Sequence, residues 1–62
     1  MGTIAELIVN FDIPSNEVLV VHNENEQLGT FTAQEILCNA DLRNKEIAEL
    51  FSSVVAINVV VK

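Results

Sequence analysis

Hydrophobic and polar positions change period several times along this chain, and each change marks an expected element. Residues 4–13 alternate, with Ala5, Leu7, Val9, Phe11 and Ile13 on one side and Ile4, Glu6, Ile8, Asn10 and Asp12 on the other. A period of two predicts a half-buried strand. The run Asp12-Ile13-Pro14-Ser15-Asn16 ends it, since proline presets a turn and cannot donate to a ladder. A second strand is expected over Glu17–His22, where Val18-Leu19-Val20-Val21 would be buried on both sides, as in a central strand. So short a connection predicts an antiparallel hairpin of these two. A polar turn, Asn23-Glu24-Asn25-Glu26, leads to a third strand over Gln27–Phe31, in which Gly29 points to a bulge or a close backbone approach.

The period then becomes helical. Thr32-Ala33-Gln34-Glu35 matches a capping box, with Phe31 and Ile36 placed as a hydrophobic staple. Ala33, Ile36, Leu37 and Ala40 form one stripe; Ile47, Leu50, Phe51 and Val54 form another. Joining the stripes would bury Arg43 or Asn44, so the expectation is a break near Asn39–Leu42. There Asn39 would turn left-handed, with Asp41 or Asn44 capping the second helical segment. One bent helix across residues 33–53 is the alternative, favoured by the Asp41–Lys45 and Lys45–Glu49 pairs. The last strand is expected over Val54–Val61, apolar on both faces.

The expected fold is therefore α+β, a single domain over residues 1–62. It has a small antiparallel or mixed sheet of three to four strands, in the order β-β-β-α-(α)-β, with helix packed on one face. Helix can shelter only one side of such a sheet. The other, carrying Ile4, Ile8, Val54, Ala56, Asn58 and Val60, would be closed by a second copy in a dimer or by a partner protein.

Composition sharpens this picture. Half of the 62 residues are hydrophobic, too many for a disordered chain, yet so short a domain is marginal without a staple. One cysteine allows no internal disulfide, and one histidine argues against a zinc site. Association is the remaining remedy. The formal charge of −6, from nine acidic and three basic residues, opposes direct binding to nucleic acid or to an anionic membrane and favours a basic protein partner. Apolar runs are too short to span a bilayer, and no signal-peptide pattern opens the chain, so a cytoplasmic protein is expected.

No catalytic, cofactor-binding or metal-ligating residue is expected. His22 lacks a serine or second histidine as partner, and Cys38 lies toward the end of its helix, where the dipole does not activate a thiol. Glu24 and Glu26 lack the glycine and distal glutamate of a helix-loop-helix calcium loop. Leu42–Phe51 resembles the first helix of helix-turn-helix domains in bacterial response regulators. A valine-rich strand comes after it in place of a basic recognition helix, so no DNA-binding role is carried over.

The expected function is that of a non-catalytic, acidic protein–protein interaction module, a regulator, adaptor or assembly subunit, working as a homo-oligomer. A second reading is an acidic inhibitor imitating nucleic acid, as small phage proteins can do, with Glu24, Glu26, Glu35, Asp41, Glu46 and Glu49 as its acidic face. An enzyme ranks last, because so short a chain struggles to enclose a ligand pocket.

Overall fold

The computed structural model describes residues 2–62. Three short helices and four strands succeed one another as α1 (Ile4–Asn10), β1 (Val18–His22), β2 (Gln27–Thr32), α2 (Ala33–Leu37), α3 (Ala40–Arg43), β3 (Ile47–Ser52) and β4 (Ile57–Val61). The fold is α+β, with a mixed four-stranded sheet in the order β2-β1-β4-β3. Two antiparallel hairpins, β1–β2 and β3–β4, meet through a parallel pairing of β1 with β4, in which Leu19 lies opposite Ile57 and Val21 opposite Val59.

The first expected strand is a helix. Thr3 caps α1 by accepting the Glu6 N–H, while the Glu6 carboxylate accepts the Thr3 N–H, a reciprocal capping box. Ile4, Leu7 and Ile8 then share a helical stripe, and Ile4 and Ile8 are buried in the core. The α1 end is a Schellman turn. The Ile13 N–H bonds Ile8 O at 3.0 Å and the Asp12 N–H bonds Val9 O at 3.3 Å, with Asp12 left-handed at φ 51°. The hairpin expected between residues 4–13 and 17–22 is therefore absent, and β1 pairs instead with β2 and β4.

The second and third expected strands are present as β1 and β2. Their register shifts between Val21 and His22, so Leu28 has no partner on β1. Gly29, at φ +156°, sits beside this bulge as anticipated. The Thr32–Glu35 capping box starts α2 where the motif placed it, and the Ala33 and Gln34 amides bond back to Glu17 O and Ser15 O. The helical region breaks at Asn39. That residue is extended at φ −109° rather than left-handed, and its side chain, not that of Asp41 or Asn44, caps α3 by accepting the Asp41 and Leu42 amides.

The second helical stripe belongs to a strand. Ile47 lies opposite Val61 and Leu50 opposite Val59, with the register shifting between Ile47 and Glu49. The extra residue returns Ile47 and Leu50 to the same side of β3, although they are three apart in sequence. That spacing imitates a helix turn. The region that resembles the first helix of a helix-turn-helix domain is, over Ile47–Phe51, this bulged strand. The terminal strand starts at Ile57 rather than Val54, because Ser53–Ala56 form the β3–β4 turn.

A single core lies between the helices and one face of the sheet. Ile4 and Ile8 of α1, Ala33 and Ile36 of α2 and Leu42 of α3 meet Leu19, Val21, Ile47, Val59 and Val61. Burial alternates along β1 and β4 accordingly, and the residues between the core positions face away from the helices. No helix among the described residues is long and apolar enough to cross a membrane.

Candidate functional site

The face of the sheet that lacks helices is open and mixed in character. Across it, Thr30, Val20, Asn58 and Phe51 form one row by strand register, and His22, Val60 and Glu49 another. None of these side chains is in the core. Valines thus alternate with polar groups, and the surface is less oily than the valine-rich sequence implied. His22 Nε2 and Asn58 Oδ1 hydrogen-bond at 3.0 Å, linking the two parallel strands. Asn58 Nδ2 donates to Ala56 O at 3.4 Å, which sets the amide so that Oδ1 faces the ring.

Most of the exposed large apolar side chains lie toward one end of the sheet, with Leu28 of β2 toward the other. Val18 opens β1 at the first end, Phe51 lies near the end of β3, and Val9 and Phe11 lie where α1 ends. Val54 is fully exposed and Val55 is 88% exposed at the β3–β4 turn. This turn is held in shape. Ser53 N–H and Oγ both donate to Ala56 O at 2.9 Å, and Ser53 Oγ accepts the Ala56 amide at 3.2 Å. A serine side chain closing its own turn presents the valines outward instead of letting them fold back.

Of the expected interface residues, Val54 and Ala56 lie in this turn, and Asn58 and Val60 lie on the helix-free face. Ile4 and Ile8 do not join them. They are core residues, because helical winding of residues 4–10 turns both onto the inner side of α1.

The acidic residues are dispersed. Glu24 and Glu26 lie in the β1–β2 turn, at the same end of the sheet as Glu46, whose carboxylate pairs with Lys62 at 3.6 Å. Both partners of that pair are well exposed, so it contributes little. Glu35 is in the first turn of α2 at the opposite end, Asp41 is in the first turn of α3, and Glu49 is on β3. Glu46 precedes β3 and Glu49 lies within it, so the two do not share a helix face. Cys38 is a free, exposed thiol at the end of α2.

A groove of about 300 Å3 runs between α1 and β3, a feature that the sequence patterning did not reveal. Leu7, Phe11, Ile47 and Leu50 supply its apolar lining, and Glu6 and Glu49 its charged groups. The signal that could have found it was the Thr3–Glu6 capping motif, which turns residues 4–10 from a strand into the helical wall of the groove.

No protein family, curated protein or solved structure is significantly similar to this chain.

Proposed function

We infer that this protein is a non-catalytic protein–protein interaction module that works as a homo-oligomer in the cytoplasm. The observation that carries the reading is the outward display of Val54 and Val55 on a turn pinned by Ser53. Phe51 and Val18 lie at the same end on the helix-free face, and Val9 and Phe11 are exposed where α1 ends. Water-facing apolar side chains gathered in this way mark interaction surfaces, whereas scattered ones need no explanation. Val20 and Val60 extend the apolar surface from this end onto the sheet. The polar groups between them, Asn58 and His22, are already hydrogen-bonded to each other and can be covered at lower cost.

Sedimentation equilibrium over a range of concentrations tests the proposal. The wild-type chain is expected to associate reversibly, and a Val54→Asp, Val55→Asp double variant is expected to stay monomeric with unchanged circular dichroism. Neither residue is in the core, so loss of association without loss of fold isolates the surface. A wild-type chain that remains monomeric throughout overturns the homo-oligomer.

A further inference from the structure

We propose that the groove between α1 and β3 binds an extended, lysine-bearing apolar segment of another protein, which adds to the sheet as a fifth strand on the edge of β3. β3 ends the strand order, so its outer edge beyond Ile47 has no partner strand among the described residues. An edge of this kind presents unpaired backbone donors and acceptors. The protein's own backbone shows that this edge takes a strand. Thr3 and Glu46 form an isolated antiparallel bridge, with the Ile47 N–H donating to Gly2 O at 3.1 Å and the Ile4 N–H to Lys45 O at 3.0 Å. The chain then departs into α1, and Ala48–Ser52 are left open.

The groove beside that edge supplies what strand addition needs besides backbone bonds. In an added strand every second side chain points to the α1 side. There it meets Leu7, Phe11, Ile47 and Leu50. Glu6 is the charged side chain on the α1 wall. Glu49 borders the groove from β3 with its side chain on the helix-free side, where the alternate side chains of an added strand point, and no basic side chain among the described residues lines it. That charge selects the occupant. A second copy joining its own β3 to this edge would set two strands that each carry Glu49 side by side between two molecules of charge −6, which opposes the pairing. A segment alternating apolar and basic residues is attracted instead. The groove shares Phe11 with the exposed apolar end of the molecule but includes neither Val54 nor Val55, on which self-association rests.

The test uses isotope-labelled full chain, amide hydrogen exchange, and two synthetic peptides, one alternating valine with lysine and one alternating valine with glutamate. The lysine peptide is expected to slow exchange within Ala48–Ser52 and to shift Leu7 and Phe11 resonances. The glutamate peptide should bind about tenfold or more weakly, and high salt should narrow the difference. Glu49→Lys, an exposed substitution, should reverse the preference. Equal binding of both peptides, protection confined to β2, or shifts only around Val20 and Val60 overturns the proposal. So does slow exchange along the outer edge of β3 that rises with protein concentration without peptide, which would assign the edge to a second copy. Because the peptides are compared on unmodified protein, the result stands even if the variant fails to fold.

Discussion

His22 Nε2 and Asn58 Oδ1 stand 3.0 Å apart on the helix-free face, joining β1 to β4 by a side-chain bond beside their parallel backbone pairing. With Asn58 Oδ1 as acceptor, the neutral imidazole must carry its proton on Nε2. Nitrogen NMR of the ring is expected to show that tautomer. Asn58→Ala should lower stability by about 1 kcal/mol in urea unfolding and release the tautomer preference. A ring protonated on Nδ1 in the wild type would show that Nε2 does not donate to Asn58 Oδ1 in solution.

The two capping boxes make a matched pair. Thr3→Ala and Thr32→Ala should each cost about 1 kcal/mol. The helices they start pack on the same core, and the caps themselves share no hydrogen-bond partner. Their effects should therefore add closely, and unfolding of the double variant measures this. A Thr3→Ala variant as stable as the wild type would mean that something other than the cap winds residues 4–10 into a helix.

Asp12 occupies a position where glycine is favoured. At φ 51° a side chain crowds its own backbone, at about 1 kcal/mol for an ordinary residue and less for aspartate. Asp12→Gly is expected to raise the melting temperature, and Asp12→Val to lower it. The Schellman bonds from Ile13 and Asp12 would be retained in the first and weakened in the second.

Gly29 and Phe31 are coupled. A β-carbon on Gly29 would come within 2.7 Å of the Phe31 ring, and φ +156° is a conformation that other residues avoid. Gly29→Ala should therefore destabilise by roughly 2 kcal/mol, part from the ring and part from the backbone. Adding Phe31→Leu should recover only the steric part. A double-mutant cycle separates the two, and strict additivity would mean that the ring moves aside freely.

Adjacent residues of β4 should respond in opposite ways. Val59 is wholly buried and Val60 is not part of the core. Val59→Asp places an unpaired charge against the helices and is expected to unfold the chain. Val60→Asp should leave circular dichroism and melting nearly unchanged and weaken self-association. Equal unfolding by both would mean that the outer face is as tightly covered as the inner one.

Most of the sheet can be read along the chain. β1, β2 and the Thr32 cap follow from local rules, and Ile57–Val61 lies within the expected terminal strand. The two segments that depart from expectation share a physical cause, a spacing satisfied by more than one geometry. Residues 4–13 alternate and also carry Ile4, Leu7 and Ile8 at helical intervals; the Thr3–Glu6 box, the same motif as Thr32–Glu35, decides for the helix. Residues 47–54 show the reverse case, since a bulge gives Ile47 and Leu50 a helix-like interval within a strand. Strand order was the least legible feature, because the β1–β4 pairing joins residues more than half the chain apart and leaves no local trace. The expected interface residues divide in the same way. Val54, Ala56, Asn58 and Val60 lie at the surface or only half-buried on the turn and the helix-free face, whereas Ile4 and Ile8 depended on the segment that winds into α1.

The parallel seam between β1 and β4 also orders events in time. Each flanking hairpin can zip from its own turn, but the seam closes only after the chain has travelled through α2, α3 and β3. Non-local closure of this kind is slow. Until it happens, each half-molecule has an apolar strand whose mate lies in the other half. At high concentration that mate can come from a neighbouring molecule, so the same seam that completes the monomer offers a route to exchanged, interlocked pairs during refolding.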